Sequence, residues 1–193
     1  MMDTRIDQRF SRTWSFFVEN AGELLLGSLV VIAGFLVVIP GPWFGLNLLQ
    51  ETLECARTGR RVRWQAAYDR RGNFLKSWGL TFAMGIPILI GYALLIVPGV
   101  LLSLVWLHAP VLAAGGRGVV DSLGESYRIF TRRSDWAAYF LNWLVLTMLS
   151  ALGGITAFAF LLTLPLSVVY LVLCYTDETA PVTIEPPRIQ IPV

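Results

Sequence analysis

Residues 77–116 read SWGLTFAMGIPILIGYALLIVPGVLLSLVWLHAPVLAAGG, forty positions without one Asp, Glu, Lys or Arg. At about 1.5 Å per helical residue, forty residues give roughly 60 Å, enough to cross a hydrocarbon core of about 30 Å twice. Pro98-Gly99 in the middle is turn chemistry, so the stretch reads as a helical hairpin. Two more charge-free runs flank it, Leu24–Gln50 with 27 residues and Trp136–Thr176 with 41. They carry their own breaks at Pro40-Gly41-Pro42 and Gly153-Gly154. The chain has 193 residues, of which 55% are hydrophobic and 15% charged. Soluble domains carry about 25% charged residues, so the deficit excludes an ordinary soluble globule. The expected fold class is therefore all-α: a polytopic membrane bundle of about six segments in three Pro/Gly-turned hairpins.

The hairpins look like copies of one unit. Leu36-Val37-Val38-Ile39-Pro40-Gly41 matches Leu94-Leu95-Ile96-Val97-Pro98-Gly99 at an offset of 58, and Arg70-Arg71-Gly72-Asn73-Phe74 resembles Arg132-Arg133-Ser134-Asp135-Trp136. The first hairpin is the least comfortable, because its second arm, residues 43–56, carries Asn47, Gln50, Glu51 and Glu54. Either that arm crosses packed against other helices or it inserts only partway. The connectors read as amphipathic interfacial helices. Val120, Leu123, Tyr127 and Phe130 share one helical face, and Ser122 with Glu125 forms a capping-box pattern that starts this helix at Ser122. Ile6, Phe10, Trp14 and Phe17 make a similar stripe. Trp14, Trp64, Trp78 and Trp136 fall at connector boundaries, as interfacial anchors do.

All charge lies on one side if the three turns share the other. Residues 57–76 hold Arg57, Arg60, Arg61, Arg63, Arg70, Arg71 and Lys76 against Asp69 alone, and Arg117, Arg128, Arg132 and Arg133 follow in the next connector. Positive-inside counting makes this side cytoplasmic. The expectation is a multi-pass cell (inner) membrane protein with both termini inside. Residues 1–178 form one membrane domain and 179–193 a Pro-rich cytoplasmic tail. Residues 1–23 mix Arg5, Arg9 and Arg12 with Asp3, Asp7, Glu19 and Glu23, unlike a cleavable signal.

The net charge of +2 does not suggest a nucleic-acid partner. Catalytic and metal-ligand motifs are absent, so no catalytic residue, metal or cofactor is expected. The cations Arg57, Arg60, Arg61, Arg63, Arg70, Arg71, Lys76, Arg132 and Arg133 are candidates for anionic lipid headgroups. His108, the single histidine, with Asn47, Glu51 and Glu54, forms the candidate intramembrane polar set. For Glu51 and Glu54 the structural reading, ion pairing with Arg57, Arg60 or Arg61, is favoured over acid–base work. Asn47 and Asn142 read as interhelical hydrogen-bond groups. The leading function is a non-enzymatic lipid-organising or scaffold protein that could form homo-oligomers. The alternative is a small transporter or channel using His108, Asn47 and the helices around Pro87 and Pro165. A membrane enzyme and a wedge-hairpin membrane shaper are weaker readings.

The stretch Leu95-Ile96-Val97-Pro98-Gly99, then Trp106, Ala109-Pro110 and Asp121-Ser122-Leu123-Gly124-Glu125-Ser126-Tyr127, resembles a broad group of prokaryotic polytopic membrane proteins. That group includes YciC-like proteins and the glycerophosphoryl diester phosphodiesterase membrane domain. Leu173-Cys174-Tyr175-Thr176-Asp177 is similar to its C-terminal edge, and Gly45 through Gly59 to its second helix and connector. Ser122 stands where the group usually has Ala. The resemblance implies architecture over about residues 14–178. It implies no phosphodiesterase activity, because the catalytic domain is missing.

Overall fold

The computed structural model describes residues 3–132, 135–154 and 157–179. Arg133 and residues 180–193 lie outside them, as does the side chain of Arg71. Among the described residues the chain is all-α, with ten α-helices and one 3-10 turn at 71–73. The helices are α1 (Asp3–Glu19), α2 (Ala21–Leu36), α3 (Gly41–Thr58), α4 (Ala66–Asp69), α5 (Phe74–Leu94), α6 (Ile96–Val105), α7 (Ala109–Ala114), α8 (Val119–Thr131), α9 (Trp136–Gly153) and α10 (Ala157–Thr179). Four helices are long and apolar enough to cross a membrane: Phe74–Leu94, Ile96–Ala114 (α6 continued by α7), Trp136–Gly153 and Ala159–Thr179. Their outward faces stay apolar. On α5, Phe82, Ile86, Leu89 and Ile90 are exposed at helical spacing, a stripe that would drive association in water.

The prolines start helices more often than they end them. Pro42 and Pro110 sit in the first turns of α3 and α7, and Pro98 is the third residue of α6. A first-turn proline lacks only an N–H that would have no helical partner. The α5–α6 turn therefore falls at Leu95, which is extended (φ −163°, ψ 142°), three residues before the Pro98-Gly99 expected from the sequence. Between α6 and α7 the helix breaks at Trp106–His108, and side chains cover the freed carbonyls. Tyr139 Oη donates to the Leu104 carbonyl at 2.9 Å, and Ser126 Oγ to the Val105 carbonyl at 2.8 Å.

The hairpin necks are closed by glycine. A Cβ on Gly91 would stand 2.9 Å from the Gly99 Cα, and one on Gly99 would stand 2.5 Å from the Tyr92 ring. The α2–α3 neck repeats this with Gly34, Gly41 and Phe35 in the same relation, a Cβ on Gly34 standing 3.2 Å from the Gly41 Cα. Gly91→Ala should therefore push backbone against backbone and destabilise by about 1–3 kcal/mol. Gly85→Ala, also within α5 but with nothing within 4 Å of the new Cβ, should be neutral or mildly stabilising. Thermal midpoints in one detergent compare the two, and equal shifts would show that the neck is not tightly packed.

The three hairpins are not equivalent. The α2–α3 tip docks on the first turns of α5: Trp78 Nε1 donates to the Ile39 carbonyl at 3.0 Å, and the Trp43 and Phe74 rings meet edge to face at 6.0 Å. From Trp78, α5 continues sixteen residues to Leu94, about 24 Å further. α3 packs against α7 and the C-terminal half of α10, where Leu46, Leu49 and Leu53 meet Val111, Leu112, Val172 and Tyr175. Its polar face is tolerated because α3 is surrounded by α2, α4, α5, α7 and α10. α1 meets α2 at an elbow of 86°.

The connectors also depart from expectation. Residues 59–65 form no amphipathic helix. Asn20 Oδ1 accepts the Val62 N–H at 3.0 Å and Glu23 Oε2 the Trp64 N–H at 2.9 Å, so side chains of the α1–α2 elbow and the first turn of α2 meet backbone needs that a helix would have met. α8 begins at Val119, and the Ser122 hydroxyl donates back to the Gly118 carbonyl, so Ser122 does not cap it. Its Val120 and Tyr127 are exposed while Ser122 and Ser126 are buried. On α1 the exposed apolar stripe is Phe10, Trp14 and Val18, and Phe17 turns into the core.

Candidate functional site

On α3, Asn47, Gln50, Glu51 and Glu54 recur at i, i+3, i+4 and i+7 and so share one face. The connector after Gly59, whose φ of 69° ends α3, folds back along that face. Arg70 sits at its bend. Its guanidinium grips Glu54 with two hydrogen bonds, Nη1–Oε1 at 2.7 Å and Nη2–Oε2 at 2.8 Å, and reaches Glu51 Oε2 at 2.8 Å. Glu51 is fully buried and takes a second cation, Arg60, at 2.9 Å, with Arg63 at 3.7 Å. Asn47 donates to the Ala67 carbonyl at 2.9 Å. Asn73 donates to Asn47 Oδ1 and Gln50 Oε1 at 2.9 and 2.7 Å. The Arg70 hydrogen bonds hold the Glu54 carboxyl below its ordinary range. Burial and the Glu51 carboxylate push the Cys55 thiol up to about 11. Cys55 therefore stays protonated and its Sγ lies 3.7 Å from Glu51 Oε1.

This arrangement divides the candidate cations. Arg60, Arg63 and Arg70 face Glu51 and Glu54. Arg57 and Arg61 are exposed, with no carboxylate at ion-pair distance among the described residues. Arg132 is exposed at the end of α8, and Lys76 is half-buried in the first turn of α5. Arg60 and Arg61 line a cavity of about 320 Å³ at the α1–α2 elbow, together with Phe16, Glu19, Asn20 and Gly59. Of the tryptophans, Trp14 and Trp136 are exposed, Trp64 and Trp78 half-buried.

No protein-family model, curated protein or solved structure matches the chain. Function must therefore be read from the geometry.

A second polar cluster was not visible in the sequence. His108, just before α7, is fully buried, and its Nε2 faces the Glu178 carboxylate in the last turn of α10. The Tyr139 and Tyr175 rings flank it at centroid distances of 5.6 and 6.0 Å. Glu178 stands seventy residues from His108, beyond any local spacing. The signal that points to it is Tyr175 and Glu178 at i and i+3 on α10. The neighbouring Asp177 faces the other way and binds Arg9 and Arg12 of α1 at 3.0 and 2.8 Å. Asn142 accepts from Tyr170 Oη at 2.9 Å, an interhelical hydrogen bond between α9 and α10. Among the described residues no group of three or more His, Cys, Asp or Glu is placed to hold a metal ion.

Proposed function

We propose that this is a non-enzymatic multi-pass protein of the cell membrane, with both termini cytoplasmic, that organises anionic lipid at its cytoplasmic face. Four apolar helices supply the crossings, α5, α6–α7, α9 and α10. The α2–α3 hairpin enters from the cytoplasmic side and turns back within that leaflet. Two features support the half-depth insertion: its tip stops beside Trp78, and the tip residues Leu36, Val37, Val38 and Ile39 are apolar and exposed. The 86° elbow then lays α1 in the interface plane, with Phe10, Trp14 and Val18 toward lipid. The shared glycine–aromatic neck of α2–α3 and α5–α6 supports their origin as copies of one unit. Kinship with the YciC-like group is proposed on the Pro-Gly and Asp121–Tyr127 motifs alone.

The observation that carries the lipid reading is the division of the arginines. Arg60, Arg63 and Arg70 face Glu51 and Glu54, while Arg57 and Arg61 are exposed with no carboxylate at ion-pair distance among the described residues, and Arg61 lines the polar cavity. Each basic residue at an anionic surface contributes about 1 kcal/mol. Arg57→Gln with Arg61→Gln should therefore lower the preference for phosphatidylglycerol and cardiolipin by about 2 kcal/mol, roughly thirtyfold. Mass spectrometry of copurifying lipid reads the change. An unaltered anionic fraction would reduce the connector to a topology signal. Arg70 is unsuited to this test because its loss disturbs Glu51.

A further inference from the structure

Beside the first turns of α3 lies a second cavity, of about 440 Å³, within the roughly 300–1,000 Å³ range of small-molecule sites. Its wall draws on α2, α3, α5, α7, α9 and α10, with Gly45 and Leu49 of α3, Leu80 and Met84 of α5, and Val168 and Leu171 of α10 among its residues. We propose that this cavity takes one acyl chain of a membrane phospholipid, an inference that rests on the membrane reading above.

The wall chemistry selects hydrocarbon. No charged side chain lines it. Four hydroxyls do, Ser77, Thr81, Ser150 and Ser167, and three of them already donate to their own helix, Ser77, Thr81 and Ser167 to the Phe74, Ser77 and Thr163 carbonyls at 2.7, 2.9 and 2.8 Å. A resident water needs two to four polar partners, and three of these four hydroxyls have their protons engaged. An empty apolar void forfeits dispersion contacts along its whole lining. Phe35 and Thr81 are wall residues that are also exposed, so the cavity opens sideways onto the apolar belt that faces lipid. Along α5, Lys76 directly precedes the wall residue Ser77. No carboxylate lies within ion-pair distance of Lys76 among the described residues. A cation thus stands at the interfacial end of the wall, where the phosphate of a lipid would be, which favours a phospholipid over an uncharged isoprenoid.

The test fills the cavity. A Cβ on Gly45 meets only Val31, at 3.9 Å, so the backbone there accepts a side chain; Gly45→Leu adds bulk from the α3 wall, and Ser167→Leu from the α10 wall. Protein reconstituted in nanodiscs of equal parts phosphatidylethanolamine and phosphatidylglycerol is released into mild detergent for native mass spectrometry. The unaltered protein should retain one phospholipid, and either variant that keeps the parent thermal midpoint should retain about tenfold less, the change expected for one lost packing site. Undiminished retention in a folded filled variant would overturn the proposal, as would a parent protein that keeps only detergent or a polyprenyl lipid. Electron paramagnetic resonance of tail-spin-labelled phosphatidylglycerol around the unaltered protein gives a second readout. One immobilised tail per chain is expected, and its absence overturns the inference whatever the variants do. Arg57→Gln with Arg61→Gln separates this site from the headgroup reading: it should change headgroup composition while the number of retained lipids stays the same.

Discussion

Arg70→Leu is expected to destabilise the protein by about 3 kcal/mol, the low end of the cost of removing one partner from a buried ion pair. Arg70 makes the two-pronged contact to Glu54 and the shortest contact to Glu51. Glu51 is fully buried, so after the substitution its carboxylate has only Arg60 at 2.9 Å and Arg63 at 3.7 Å. Glu54 is partly exposed and can rehydrate, which is why the loss stays at that low end. For a chain of this size such a loss corresponds to a fall of about 6–12 °C in thermal midpoint. Arg70→Lys keeps the charge but loses the fork and should fall between. Arg61→Leu, at an exposed site, should stay within about 0.5 kcal/mol. Adding Glu51→Gln to Arg70→Leu should recover much of the loss. Equal midpoints for Arg70→Leu and Arg61→Leu would show that the cluster does not brace the fold.

The second large effect is expected at His108. His108→Leu leaves the Glu178 carboxylate, almost fully buried, facing an apolar side chain, and should cost about 3 kcal/mol near neutral pH. The reverse change is milder. Glu178→Leu leaves an imidazole, whose neutral form is far less costly to bury than a carboxylate. The double substitution to Leu at both positions should be more stable than His108→Leu alone. Thermal unfolding of the three variants in one detergent checks the order. A Glu178→Leu loss as large as that of His108→Leu would contradict the proposed asymmetry.

The apolar helices are legible because the signal is local: three charge-free runs and the connectors between them place α5, α8, α9, α10 and the α6–α7 span to within a few residues, though not the break at Trp106–His108 that divides that span. Turn positions are less so, since Pro98 marks a helix start, and the sequence cannot tell a proline that ends one helix from one that begins the next. The polar face of α3 is written in its i, i+3, i+4 and i+7 spacing. Its burial is not, because that depends on α7 and α10 closing around it. Pairing fails for a similar reason. Glu51 was expected to meet Arg57, Arg60 or Arg61, and Arg60 does, but the dominant partner is Arg70, brought back by a connector that Asn20 and Glu23 hold in irregular form. Glu178 reaches His108 only through the docking of α10 on α7. The depth of the first hairpin was left open by its sequence, because Glu51 and Glu54 suit both a shielded crossing and a partial one.

Single cysteines at Val38, Leu95 and Gly154, probed in intact cells with a membrane-impermeant thiol reagent, test the topology most directly. The native Cys55 and Cys174 are fully buried, so the unaltered chain should give a low background. Labelling from outside is expected at Leu95 and Gly154 and not at Val38. External labelling at Val38 would carry the first hairpin across the membrane, and failure at both Leu95 and Gly154 would remove the four crossings themselves.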